Sequence, residues 1–239
     1  MENDGIDRTL PDPHSADGKG PDTQPNWIRI RFRRSGPAEY LAHLDMMRLF
    51  ERALRRAGIP LAYSQGFNPR PHLVFALPLG VGVQAEADIV DIETAKPVPP
   101  GDLAVQLDRC LPDGVSVRGA EAVIPDRKSV MGRVVRAAYR IRASGIAAAA
   151  ESLMDCAELP VEKTGKSGRR MLDTRPLILS ATPSGPDEAV FLVKAGSAEN
   201  LRPDLLLEAM VRYAGLDPLK AANAEIIRER IELSDGNDG

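Results

Sequence analysis

The sequence predicts an α+β fold of two tandem ferredoxin-like (βαββαβ) domains, each with an antiparallel sheet. Three observations carry this. The order strand–helix–strand–strand–helix–strand can be followed over residues 27–124 from periodicity and turn residues alone. The same order recurs over 138–234, where Tyr139-Arg140-Ile141-Arg142 echoes Ile28-Arg29-Ile30-Arg31. Finally, 239 residues with 43% hydrophobic content suffice for two cores, and only 4% aromatics means those cores are mainly Leu, Val, Ile and Ala.

The tail 1–26 is acidic, rich in Pro, Gly and Asp, and nearly free of large apolar groups that could offset ordering. It is expected to be disordered, as is the end 235–239. From Trp27 the run WIRIRFRR alternates, with Ile28, Ile30 and Phe32 on one face and Arg29, Arg31 and Arg33 on the other. That is a half-buried strand with a basic solvent face. AHLDMMRLFERALRRAG takes helical period, with Leu44, Met47, Phe50, Leu54 and Ala57 as its apolar stripe. Asp45 suits the positive first turn, Gly58 caps the end and Pro60 prevents continuation. Leu73 to Leu77 is a short apolar strand, and a third strand surrounds Ile89 to Ile92. Pro99-Pro100 opens a second helix with Leu103, Leu107 and Cys110 inward, and Pro112-Asp113-Gly114 turns into VSVRGAEAV. A linker spans 125–137.

In the second half IAAAAESLMDCA reads as an alanine-rich helix, and extended segments flank the basic turn from Lys163 to Arg175. EAVFLVKA is a strand. RPDLLLEAMVRYAG has proline in its first turn and glycine at its end. AEIIRERIEL closes as a strand, with Ile226 set against Arg228, Arg230 and Glu232.

The net charge of −3 hides segregation. Residues 27–81 carry nine bases and three acids, 82–126 three bases and nine acids, and 127–175 eleven bases and five acids. Two basic blocks parted by an acidic one give a positive face if folding joins them. The two cysteines, Cys110 and Cys156, suit a reducing compartment and form no metal or cluster motif, so no metal and no cofactor are expected. No run has bilayer-spanning length and no apolar leader opens the chain. The expectation is a cytoplasmic protein without a membrane partner. Gly165-Lys166-Ser167 resembles the end of a phosphate-binding loop, but Pro160 stands where the first glycine is required.

The most informative stretch is Leu61 to Gly80. Gly66 offers positive φ, while Pro69 and Pro71 hold Asn68 and Arg70 extended, so a stiff loop displays Tyr63, Phe67, Asn68, Arg70 and His72. Arginines hold phosphates and aromatic rings stack unpaired bases. Arg31, Arg33, Tyr63, Phe67, Asn68, Arg70, Arg169, Arg170 and Arg175 are therefore the candidate RNA contacts, expected to converge on one basic cleft. His43, His72 and Tyr63 are the candidate acid and base groups for a metal-independent endoribonuclease. A protein-docking module would instead use the acidic block and the arginine-rich helix.

His43-Leu44-Asp45 with Arg48, then Ser64, Gly66-Phe67-Asn68-Pro69 and Pro71, then Pro78-Leu79 and Gly82, resembles the radical SAM-linked protein family. That bacterial domain of unknown function occurs alone or joined to the C-terminal end of radical SAM proteins. The likeness spans about residues 27–230. It implies association with a radical SAM protein and with RNA or ribosome-related processes. The chain lacks CxxxCxxC, so it is expected to serve as an accessory partner rather than to hold the cluster. In plan it is also similar to the CRISPR repeat-processing endoribonucleases, a likeness of fold only.

Overall fold

The computed structural model describes residues 26–126, 128–165 and 168–234. The expected disordered ends lie outside the described residues, apart from Asn26. The first half contains β1 (Trp27–Arg34), α1 (His43–Arg56), β2 (Leu73–Phe75), β3 (Val83–Glu93), α2 (Pro100–Asp108) and β4 (Val115–Val123). The second contains α3 (Val130–Arg133), β5 (Val134–Arg142), α4 (Ile146–Asp155), β6 (Pro160–Gly165), β7 (Gly168–Asp173), β8 (Ile178–Gly185), β9 (Glu188–Lys194), α5 (Pro203–Tyr213), α6 (Pro218–Ala222) and β10 (Glu225–Leu233). The segment expected to link the halves, 125–137, thus holds α3 and the start of β5.

The fold is α+β with one large, mostly antiparallel sheet. Its strand order is β4-β1-β3-β10-β5-β9-β8, with β2 also paired to β3, while β6 and β7 form a separate hairpin. Separate sheets were expected, and strand lengths explain why they merge. β3 has eleven residues and β2 only three. β2 covers Leu73 to Phe75 against Ile92 to Val90, which leaves the start of β3 as a bare edge of unpaired backbone groups. β10 fills that gap, running parallel to β3 from Val83 to Ala85, and pairs antiparallel with β5 on its other side.

Alternation along β1 puts Ile28, Ile30 and Phe32 in a core with Phe50 and Leu54 of α1 and Leu103 and Leu107 of α2. Phe32, Phe50 and Phe75 meet edge to face, with ring centroids 4.8–5.8 Å apart. The stripe α1 buries is Met46, Phe50, Ala53 and Leu54. The expected stripe shares Phe50 and Leu54 with it but opened on Leu44, which is 63% exposed, and took Met47 in place of Met46. α1 ends as the sequence foretold. Gly58 (φ +69°) takes the left-handed position, with its N–H bonded to the Arg55 carbonyl and that of Ile59 to Leu54. A second core packs Tyr139 and Ile141 of β5 against Ile146 and Leu153 of α4 and Leu206 and Met210 of α5. Among the described residues, no helix is long and apolar enough to cross a membrane.

Candidate functional site

The loop after α1 is built as a closed hairpin. Tyr63 bridges Pro71, the Ser64 N–H donates to the Arg70 carbonyl (2.8 Å), and the Arg70 N–H donates to Ser64 Oγ (3.0 Å). Ser64 thus closes the loop from both backbone and side chain, and the prolines restrict what remains. At the tip Phe67 is fully exposed, with Asn68 and Arg70 beside it. Arg55 Nε donates to the Tyr63 hydroxyl (3.3 Å), which ties the loop to the arginines of α1. There Arg48 pairs with Asp45, Arg55 lies 4.0 Å from Glu51, and Arg52 bonds the Arg48 carbonyl. Arg48, Arg52, Arg55 and Arg56 face two carboxylates, Asp45 and Glu51, so this helix face keeps a positive excess.

The two histidines do not meet. His43 packs edge-on against Phe75 (5.5 Å between centroids), on the helix-covered side of the sheet, and burial pushes its imidazole pKa down. His72 precedes the inward Leu73 and so turns to the other side. There its Nδ1 contacts Glu93 and its ring stacks on Trp27. An acid–base pair needs both groups at one scissile bond. The fold places them on opposite faces of β2, and Tyr63 is engaged by Arg55.

The arginines of β1 call for a correction. Arg29 is no solvent group; it is buried and donates from Nε and Nη2 to Asp91 at 2.8 Å each. Arg31 pairs with Glu121, and Arg33 shares Glu86 with Arg118. In β5, Arg140 pairs with Glu229 and Arg142 with Glu188 and Glu225. Neighbouring strands supply a carboxylate opposite each arginine, so the face is an ion-pair lattice rather than a basic surface. Arg169 and Arg170 are exposed on the β6–β7 hairpin, Arg169 3.5 Å from Glu162. Arg175 donates to the carbonyls of Cys156, Ile178 and Met154 and holds the hairpin base. A cavity of about 530 Å³ does lie between the halves, bounded by residues 77–81, Val83, Tyr139, Ile226, Asn200 and residues 202–204. None of Arg31, Arg33, Arg70, Arg169 or Arg170 lines it.

Sequence reading missed what shapes that cavity. Arg34, Asp88 and Arg228 are 2%, 4% and 1% exposed, at the seam between β3 and β10. Arg228 Nε and Nη2 bond both Asp88 oxygens at 2.7 Å, and Nη2 also reaches the Leu77 carbonyl. Arg34 donates to the carbonyls of Glu39, Leu41, Gly80 and Val83. One arginine from each half thus fixes the 77–83 loop by its carbonyls. Burial pushes the Arg34 guanidinium pKa down while Asp88 opposes it. Burial acts the same way on Arg228, but Asp88 and Tyr139 outweigh it and the net shift is upward. A signal was available: Arg34 continues the Ile28, Ile30, Phe32 series and Asp88 precedes Val90 and Ile92 at the same period. Both are charges at core positions.

Among the described residues, no group of His, Cys, Asp and Glu side chains could hold a metal. Fold and site define an α+β protein whose halves share one sheet, with a displayed aromatic loop and a charge-pinned junction. The chain belongs to the family described as uncharacterized protein conserved in bacteria (DUF2344), whose model matches residues 27–203. A search of curated proteins finds no match.

Proposed function

We propose that the chain is a cytoplasmic RNA-binding accessory protein, two ferredoxin-like units fused edge to edge, that works beside a radical SAM protein. The radical SAM association rests on the resemblance of the His43–Gly82 motifs. The RNA reading rests above all on Phe67, a fully exposed aromatic ring at the tip of a loop stiffened by Ser64, Pro69 and Pro71. A ring held out on a stiff loop loses little freedom when something stacks on it, and unpaired bases stack in a sequence-tolerant way. The adjoining Arg48, Arg52, Arg55 and Arg70 supply the phosphate contacts, with Arg169 and Arg170 as a second basic patch. In this reading the arginines of β1 play no part.

The test is binding of single-stranded RNA by the full chain at two salt concentrations. Phe67→Ala should cost about 1–3 kcal/mol of affinity without lowering Tm. Removing Arg52 and Arg70 together should weaken binding to all sequences and flatten its salt dependence. An unchanged affinity and salt slope in both variants would sink the RNA reading. Protein docking would then lead, and one observation favours it: Tyr40, Leu44 and Val81 are exposed apolar side chains, and Gly82 bonds the Glu39 carbonyl to bring their segments together.

A further inference from the structure

A second concavity, of about 280 Å³, lies on the ion-pair face of the first half. Its floor is the buried Arg29–Asp91 pair, its walls are Val74, Val123, Ile124, Pro125 and Val130, and Asp126 and Ser129 also line it. Trp27 forms one side, and Lys128 and Arg133 stand at the rim. Arg29 and Asp91 are both more than nine-tenths buried and spend two N–H groups and one lone pair per oxygen on each other. That leaves hydrogen-bonding capacity on both. The indole is set in place from behind, since Trp27 stacks on His72 (6.4 Å, 15° between planes) and Glu93 holds the His72 imidazole. Arg133 gives one N–H to the Ser234 carbonyl (2.9 Å), and its Nε has no acceptor among the described residues. Lys128 is exposed.

We propose that this cavity binds one nucleotide, its base beside Trp27 over the Arg29–Asp91 pair and its phosphate between Lys128 and Arg133. The parts select that chemistry. An inorganic anion has no use for an indole and five apolar wall residues. An acyl chain would have to cover a buried ion pair. A planar ring with a hydrogen-bonding edge and an anionic substituent uses the indole, the apolar walls, the buried ion pair and the two cations at the rim. The volume sits near the lower end for ligand sites, which fits a single nucleotide. The nucleotide can be free or the terminal one of an RNA strand. Of the stiff loop the inference uses only His72, behind the indole, and not Phe67, and it goes beyond the RNA reading.

Trp27 is the only tryptophan in the chain, so its fluorescence reports this site alone. The full chain is titrated with AMP, GMP, CMP, UMP, ribose 5-phosphate and a short 5′-phosphorylated oligonucleotide, with calorimetry in parallel. The expected result is saturable quenching by at least one mononucleotide or by the oligonucleotide, and none by ribose 5-phosphate. Quenching by a mononucleotide identifies a free nucleotide as ligand, and quenching by the oligonucleotide alone identifies an RNA end. Lys128→Ala, which touches no core, should weaken the response about tenfold, as loss of a charge-assisted contact does. Phe67→Ala should leave the quenching unchanged. Absence of quenching and of heat with every probe overturns the proposal, as does quenching that Lys128→Ala leaves intact. RNA binding that depends on Phe67 but leaves Trp27 silent overturns the pocket and keeps the loop.

Discussion

Asp88→Asn is the substitution the fold should tolerate least for its size. The side chain keeps its volume and one acceptor, but the only carboxylate between two buried guanidinium groups is gone. An NH₂ replaces the second oxygen and faces the Arg228 donors. Removing one partner of a buried ion pair costs about 3–5 kcal/mol, because the remaining charge stays desolvated. That is a large part of the roughly 5–15 kcal/mol that holds a domain folded. With a urea slope of about 2 kcal/mol per M, the midpoint should fall by about 2 M. Arg228→Met should cost less, since Asp88 keeps Arg34 as a neighbouring charge. Asp88→Asn with Arg228→Met should be milder than the two costs added, because the double variant no longer buries the Arg228 cation. Urea unfolding of the four proteins measures this directly. A cost below about 1 kcal/mol for Asp88→Asn, or strict additivity, would refute the reasoning.

Three further outcomes follow from the same structure. Arg31→Ala with Arg33→Ala should leave RNA affinity and its salt slope unchanged in filter binding, because both guanidinium groups are held in ion pairs across the sheet, Arg31 with Glu121 and Arg33 with Glu86. His43 has a folded pKa below its unfolded value, so its contribution to stability is present above about pH 6.5 and is lost as pH falls below that. Urea midpoints at neutral and acid pH should therefore converge in His43→Gln relative to the parent. Gly114→Ala should lower Tm far more than Gly58→Ala. A Cβ at Gly114 would lie 2.4 Å from the Ser35 carbonyl at φ +88°, whereas Gly58 opens into free space and carries only the left-handed penalty of about 1–2 kcal/mol.

The sequence announced elements better than their assembly. Alternation in WIRIRFRR, the prolines before α2 and α5, and the Gly58 cap are local signals, and local signals survive into the fold. The start of α1 was misjudged, because Leu44 and Met47 suit a 3.6-residue period with Phe50 as well as Met46 does. Which arginines would be solvated depended on carboxylates 50 to 90 positions away, such as Asp91 for Arg29 and Glu229 for Arg140. The site was legible where it is local: Phe67, Arg70 and Ser64 lie within one hairpin. Its pinned junction was not, because Arg228 finds Asp88 only once β10 has docked on β3.

That docking raises the question of why charge, rather than more leucine, occupies the seam. The parallel contact between β3 and β10 covers three residue pairs, Ile226 with Val83 to Arg228 with Ala85. So short a ladder specifies register weakly, and a slip of one residue would turn every side chain to the other face. A bidentate guanidinium–carboxylate pair has one good geometry, so Arg228 and Asp88 select the register that apolar contacts alone would leave open. The arrangement is asymmetric, however: Arg34 also leans on Asp88, so the seam holds two cations and one anion. Exchanging the pair, Asp88→Arg with Arg228→Asp, should therefore fail to restore stability. The guanidinium introduced at position 88 would lie beside Arg34, on the strand face where Asp88 opposes Phe32, while the carboxylate moved to position 228 would sit across the seam on β10. Urea unfolding of the swap should leave it about 2 kcal/mol or more below the parent, the scale of an uncompensated buried charge. Recovery to within about 1 kcal/mol would mean that Arg34 is balanced by its five hydrogen bonds to carbonyls alone, and that the seam is a simple pair.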